Sequence, residues 1–442
     1  MQIIQSKDFD LYWKSFVKKA DDIKTDKAVR KIINDVRLNG DKAIKKYAKK
    51  FDRSSPEKLE VMFSEAVRSL EQLRAQEPSL ADAMELAARN IKRFSEKQRE
   101  QFVNFEYEME PGVITGQRVI PVQKAAIYIP YGHFPLFSSL LMCMIPAFCA
   151  GVEEVMLSSP PAGNGLPDQR ILAAAAIAAQ VAGVNEKKLR LFAVGGAQAI
   201  AAFAFGTESI PRVDVIAGPG SKFVAAAKKL LYGDVGIDFI AGPTDVLIIA
   251  DGKSDNTDQA AEIAAADMLG QAEHDSDARA RVLVPCKEFA DKIVCAIEKQ
   301  ITTLPSAKTA RASLDAGGLI IVYQNKDDAI RIANTIAPEH LELQVSDADA
   351  WIPQLKNYGS LFIGSLSAEA LGDYSAGINH TLPTSQSARF TGGLSVRHFI
   401  KTVTTLKCSK GEGFEKVRNA AETLARAEGL EAHALSAAIR KE

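Results

Sequence analysis

An amide and an imidazole close an otherwise apolar segment, Asp267-Met-Leu-Gly-Gln-Ala-Glu-His274. Upstream, Thr257 through Leu269 carries alanine, isoleucine and leucine at one-turn spacing, the pattern of a helix packed on a sheet. Gln271 and His274 are three residues apart, so both can face one point, and Asp267 extends that polar face by a turn. A nitrogen and an oxygen donor so placed can supply two ligands to a divalent metal such as zinc. A helix that simply finishes in solvated polar residues has the same spacing, and the segment alone leaves both readings open.

Other residues suited to chemistry lie further along. Of the six histidines (His133, His274, His340, His380, His398 and His433), His340 follows Ala-Pro-Glu. Pro338 disfavours helix through Ala337, so Glu339 and His340 are expected on a loop leading into a strand. An adjacent acid and imidazole can transfer protons at two different pKa values, or form a plain loop ion pair. Asp373, in Leu-Gly-Asp-Tyr-Ser, is expected just after a strand, as a metal ligand or as a turn residue bonding its own backbone. His380 sits in a loop without core periodicity. Glu428 and His433 flank Gly429-Leu430 in a terminal helix and, read alone, suit a solvated face. Gly218-Pro-Gly220 lies between a strand and a helix, where a glycine turn can admit an anion to the helix N-terminus. Phe223 breaks the G-x-G-x-x-G dinucleotide pattern.

The elements that must position these groups show two textures. Residues 1 to about 110 are charged and helical in pattern, with helices expected over Lys27–Phe51 and Ser64–Phe105. From Ala125, β-branched runs alternate with alanine-rich helices. Strands are expected at Ala125–Ile129, Glu154–Leu157, Arg190–Val194 and Val213–Ala217, with helices at Phe137–Ala150, Asp168–Val181, Ala197–Phe205 and Ser221–Leu230. A second strand series follows at Val246–Ala250, Ala280–Val284, Leu319–Val322, Leu341–Val345 and Leu361–Ile363. This rhythm predicts an α/β protein with two Rossmann-like parallel-sheet units meeting near Asp238–Thr244, with a cleft between them. The loop Thr381–Arg389 and one amphipathic helix from Gly413 to the end complete the expected tail.

Bulk composition narrows the function. The chain has 442 residues, enough for two or three domains at roughly 100–200 residues each. Lys and Arg (54) and Asp and Glu (55) nearly cancel, which argues against nucleic-acid or membrane-surface binding and for a small polar substrate. The five cysteines form no C-x-x-C pair and read as residues of a reducing compartment. The first residues show no apolar leader, and Phe134 to Val152 is broken by two prolines, so a cytoplasmic protein is expected.

From about Pro121 onward the chain resembles the L-histidinol dehydrogenase family. The resemblance rests on an ordered set: Tyr128-Ile-Pro, Gly195-Gly-Ala-Gln-Ala-Ile-Ala-Ala, Ala217-Gly-Pro-Gly, Ala241-Gly-Pro-Thr-Asp-Val-Leu, Gln271-Ala-Glu-His, Ala337-Pro-Glu-His-Leu-Glu-Leu, Gly372-Asp-Tyr, His380-Thr-Leu-Pro-Thr, Gly393-Leu-Ser-Val and Glu428-Gly-Leu-Glu-Ala-His433. It implies one zinc per subunit, held by Gln271, His274, Asp373 and His433. It also implies NAD contacted by Tyr128, Gln198 and Ser221, and a four-electron oxidation of L-histidinol through the aldehyde to L-histidine. On that reading His340 takes the alcohol proton and Glu339 activates the water that hydrates the aldehyde. Thr244, Gln271, His274, His340, Asp373, His380, Glu428 and His433 contact substrate. The tail ligand is expected from the other subunit of a homodimer with shared active sites.

The resemblance divides the chain into a helical region (1–118) packing on the second α/β unit, a first Rossmann-like domain on the NAD side (119–240), a second with the metal and catalytic loop (241–380), and a dimer-crossing tail (381–442). Against the family pattern, Ser221 stands for asparagine, Tyr131 interrupts Pro-Gly-Gly, Gly270 and Thr244 stand for serines, Ser385-Gln386 replaces a glycine-rich pair and His398 takes an aspartate position. Two other readings keep the fold: a zinc and NAD dehydrogenase of another small alcohol such as a sulfonated diol, which would want added Arg or Lys at the pocket and for which Arg389 and Arg397 are the residues that could argue, and a non-catalytic metal-binding homologue.

Overall fold

Two parallel sheets carry the candidate site. The computed structural model describes residues 1–16, 23–131, 135–240, 242–253 and 256–441; His133 lies outside them. Among the described residues the first sheet has six strands in the order β2 (Glu60–Val61), β7 (Leu189–Ala193), β6 (Glu154–Ser159), β5 (Lys124–Tyr128), β8 (Val215–Ala217), β9 (Gly236–Ile237). Only β2 runs antiparallel. The chain runs outward from β5 through β6 to β7 and then returns to the other side of β5 for β8. That reversal is where open α/β sheets form a ligand crevice at the carboxyl ends of their strands. Both faces are covered: α3 (Phe63–Gln76), α4 (Pro78–Glu100), α5 (Phe137–Ala150) and α6 (Gln169–Ala182) pack on one, and α2 (Ile23–Phe51), α7 (Gly196–Phe205) and α8 (Lys222–Leu231) on the other. Double coverage is why residues 125–129 read as a continuous apolar run.

The second sheet has the order β1 (Gln2–Gln5), β12 (Leu319–Val322), β11 (Arg279–Val284), β10 (Asp245–Ala250), β13 (His340–Gln344), β14 (Ser360–Ile363), all parallel. One face holds α9 (Thr257–Ala272), α10 (Lys287–Gln300) and α11 (Ala307–Gly317), and the other holds α1 (Phe9–Phe16) and α12 (Lys326–Ile336). A short helix, α13 (Glu369–Tyr374), follows β14.

Several expectations are corrected. The N-terminal region divides its packing: β1 and α1 join the second sheet, whereas α2, α3 and α4 lie on the first. The single helix expected over 64–105 is two, because Pro78 starts a new helix where its missing N–H is harmless. Residues 105–110 form β3 (Phe105–Glu110), which joins β4 (Val113–Pro121) and β15 (Ile400–Cys408) in a three-stranded antiparallel sheet, so neither the N-terminal region nor the tail is purely helical. The terminal helix is also two, α14 (Glu412–Ala427) and α15 (Glu431–Ala438), separated at Gly429 with φ 77°. Asp373 lies within α13, not on a turn, and His340 opens β13 in place of a loop position.

Candidate active site

The acid–imidazole pair sits at the amino ends of two central strands. His340 is the first residue of β13 and pairs in register with Val246 of β10. Both Glu339 (6% exposed) and His340 (2%) are buried. Glu339 Oε2 accepts from Thr244 Oγ1 (2.5 Å) and from the Asp245 N–H (3.1 Å). Asp245 replies by accepting the Glu339 N–H at Oδ1 (3.1 Å), while its Oδ2 accepts from Arg281 Nη1 (3.0 Å). This reciprocal pair of bonds fixes both backbone and carboxylate of Glu339. Arg281 is itself buried, with its guanidinium over the rings of Trp13 and Phe16 on α1.

Around His340 stand three carboxylates. Its Nδ1 lies 3.5 Å from Glu369 and 4.0 Å from Glu339, and its Nε2 lies 3.4 Å from Asp373. These are ion-pair distances, and neither ring nitrogen makes a hydrogen bond. Burial alone lowers the basicity of the ring, but Glu369, Glu339 and Asp373 outweigh it and hold its pKa well above the usual histidine range. Burial pushes Glu339 up to about 7 and Glu369 up to about 8. Asp373 goes the other way: burial opposes its charge, but His340, His380 and His274 hold it below the ordinary carboxylate range. Behind this layer, burial and the neighbouring Asp267 push Glu342 well upward. Gln344 donates to both acids (2.8 and 2.6 Å), and Glu342 accepts the Glu369 N–H (3.2 Å).

The expected ligands fall into two groups. His274, Glu369 and Asp373 offer ligand atoms within 4.8 Å of one another, a mixed nitrogen and oxygen set that suits zinc. Two buried carboxylates crowded against an imidazole are also what a divalent cation relieves, so these residues fit the metal. Gln271, just inside the end of α9, borders the group. With its amide nitrogen donating to Glu369 Oε1 (2.8 Å), its oxygen accepts from the Asp245 N–H (2.8 Å) and lies 2.8 Å from Thr244 Oγ1, whose one proton goes either here or to Glu339. His433 and Glu428 are not in this group; both are exposed, on and just before α15. His380 is placed by α5: its Nδ1 donates to the Asp373 carbonyl (2.7 Å), so Nε2, 2.9 Å from Ser139, accepts the serine proton. Burial lowers its pKa, consistent with a neutral ring.

Glu369 is the member that sequence reading missed. It lies four residues before Asp373 on one helix, a spacing that puts both carboxylates on one face.

The three residues expected at the cofactor gather at the carboxyl edge of the first sheet. Tyr128 ends β5, buried, and its hydroxyl accepts the Gly196 N–H (3.0 Å). Gln198 is buried in the first turn of α7, with Nε2 unpartnered. Ser221 is exposed and precedes α8 without capping it. Between β8 and α8, Gly218 has φ 119° and its Cα faces the Tyr128 carbonyl, an approach only glycine permits. Lys228, buried, donates to the Gly218 carbonyl (3.0 Å), and Asp238 accepts the Gly218 N–H (2.8 Å), so the turn is held rigidly. Such a held glycine turn at a helix start fits a dinucleotide. The two arginines that could argue for a sulfonate make other bonds: Arg389 donates to the Asn334 and Thr335 carbonyls (3.1 and 2.7 Å), and Arg397 to Thr391 (3.2 Å).

Comparison with known proteins bears on family and fold. A family model described as histidinol dehydrogenase matches residues 17–441. A histidinol dehydrogenase of Aquifex aeolicus is 44% identical over 418 residues, covering 94% of this chain and 92% of the relative. One from Thermus thermophilus is 41% identical over 415 residues, covering 93% and 94%. The crystal structure of histidinol dehydrogenase from Elizabethkingia anophelis matches with a TM-score of 0.88 at 34% identity, covering 99% of this chain and 97% of that one. A betaine aldehyde dehydrogenase from Staphylococcus aureus, 11% identical with a TM-score of 0.53 over 79% of this chain and 83% of its own, shares the fold alone.

Proposed function

The chain belongs to the histidinol dehydrogenase family, and on that premise we propose that it carries out the NAD-dependent four-electron oxidation of L-histidinol through L-histidinal to L-histidine. The observation that carries this reading is the buried Glu339–His340 pair, set against Asp373 and Glu369 at the amino ends of β10 and β13. A binding homologue needs no such proton-transfer pair. The engaged Arg389 and Arg397 count against a sulfonated diol.

We assign zinc to His274 and Asp373 with Glu369 beside them, and Gln271 joins on turning its amide oxygen outward. When bound, zinc supplies a positive centre that holds the substrate, and NAD takes up each hydride. His340 accepts the alcohol proton. Two of the carboxylates that hold its proton, Glu369 and Asp373, are the groups that would hold the metal, and a bound cation there would weaken their pull on the ring and leave it free to act as base. Glu339, with a pKa near neutrality, then takes a proton from the water that adds to the aldehyde, while Thr244 and the Asp245 N–H keep its carboxylate oriented. His380 gives up Ser139 to contact substrate.

His433 and Glu428 reach the site from a second copy of the chain. The exposed row Phe105, Tyr107 and Met109 on β3, beside the tail helices, supports a homodimer in which each site draws on both chains. Among the described residues no helix is long and apolar enough to cross a membrane. The chain's family, a biosynthetic dehydrogenase drawing on NAD, is the ground on which we place the enzyme in the cytoplasm.

The test is the yield of NADH from purified, zinc-loaded protein and L-histidinol. Two NADH per histidine is expected. With Glu339→Gln the first oxidation proceeds and the aldehyde accumulates, so equal histidine yield from the variant would remove the role assigned to Glu339. No reduction with histidinol, despite bound zinc, would shift the substrate to another alcohol.

A further inference from the structure

Among the described residues, seven buried side-chain atoms lack a hydrogen-bond partner, and they are not scattered. Three belong to His340 and Glu369 in the site above, and one to Arg281. The other three, Asp52 Oδ2, Ser159 Oγ and Gln198 Nε2, come from elements that converge at the carboxyl edge of the first sheet. Ser159 ends β6, Gln198 lies in the first turn of α7, and Asp52 directly follows α2. A Cβ built on Gly195, at the start of α7, would stand 2.6 Å from Pro160 Cγ and 2.9 Å from Asp52 Oδ1, so that carboxylate leans into the crook between β6 and α7.

In a dinucleotide-binding sheet, the strand next to the first normally ends in an acid that accepts the adenosine ribose hydroxyls. Here β5 is the first strand and β6 the next, and β6 runs out through Ser158-Ser159-Pro160-Pro161-Ala162 with no acid. We infer that Asp52, supplied by the N-terminal helix layer, takes the place of the missing strand-end acid and selects NAD over NADP by accepting the 2′-hydroxyl of the adenosine ribose. This rests on the NAD reading above and names a residue that the sequence motifs did not. Burial without a partner pushes the carboxyl up to about 6, so at neutral pH it is an anion lacking a donor. A ribose hydroxyl supplies that donor, and a 2′-phosphate would meet it with like charge. Of the cations nearby in sequence, Lys49, Lys50 and Arg53, Arg53 is stacked 4.4 Å over the Tyr131 ring and donates to its hydroxyl (3.0 Å), and Lys50 lies 5.1 Å over the Phe51 ring; among the described residues none forms an ion pair with Asp52.

Calorimetric titration of the full-length protein with NAD and with NADP tests this without relying on turnover. Wild type should prefer NAD by roughly 10- to 100-fold, the worth of a hydrogen bond to a charged group. Asp52→Asn should bind NAD about tenfold more weakly and NADP no worse, with zinc content unchanged. Should the variant fold poorly, the wild type alone decides: ADP-ribose should outbind its 2′-deoxy form. A variant that keeps the wild-type preference, or a wild type indifferent to the 2′-hydroxyl, overturns the role of Asp52 and leaves the NAD reading standing. A wild type that binds neither dinucleotide overturns both.

Discussion

At the residue scale the molecule keeps charges where folding alone would not place them. Asp52 is the clearest instance, since its carboxyl is worse off folded than unfolded. Its folded pKa, about 6, lies above the unfolded value of 3.8, so the folded state binds the proton more tightly. The linked stabilisation is therefore absent above pH 6 and grows as pH falls towards 3.8. Asp52→Asn lacks that slope. Thermal melts without ligand should show the variant more stable than wild type at pH 7.5, with the gap narrowing to about half by pH 5 and closing only towards pH 3.8. A gap that stays constant across this range would mean that Asp52 has a partner in solution. A residue that costs stability in the free protein fits a role in binding.

Elements explain how His340, Glu339 and Asp245 come together, and they also mark where the sequence was legible. The central strands were readable because doubly covered strands must be apolar throughout: residues 246–250 of β10 were expected, and only Asp245 extends it. The alternation Phe-Glu-Tyr-Glu-Met-Glu in β3 was a strand pattern as well, but it adjoins a helical stretch and faces no core, so it read as a helix end. Glu369 escaped notice because nothing local distinguishes a buried glutamate from a solvated one. The site of the second sheet lies at the amino ends of its strands, opposite to the edge where parallel sheets usually bind ligands, so topology gave no pointer to it.

The Arg281–Asp245 pair ties these elements together, linking β11 and β10 to the Glu339 backbone beneath the aromatic rings of α1. Arg281→Met leaves a buried carboxylate unpaired and should lower unfolding stability by about 3–5 kcal/mol. Adding Asp245→Asn should restore much of it, as read by urea unfolding. A cost under about 1 kcal/mol for the single variant would show that Asp245 finds water.

For the whole molecule, the decisive question is whether one chain completes a site. The exposed positions of His433 and Glu428, away from His274 and Asp373, lead to a complementation experiment. Glu339→Gln and His433→Ala, each inactive for histidine formation alone, should regain activity when unfolded together and refolded. One of the two sites in a mixed dimer is then intact, so about a quarter of wild-type activity is expected at random pairing. No recovery, with mixed dimers shown to form, would mean that His433 serves its own chain.

The split allegiance of the N-terminal region also sets an order of events during synthesis. Gln2 pairs with Leu319, so the edge strand of the second sheet leaves the ribosome long before the strand it must meet. By then α2, α3 and α4 already have their own sheet to pack on. The first unit can thus mature while the chain is still being made, whereas the second waits with β1 held in reserve. During that wait β1 is an unpaired strand, the kind of segment that chaperones shield in nascent chains.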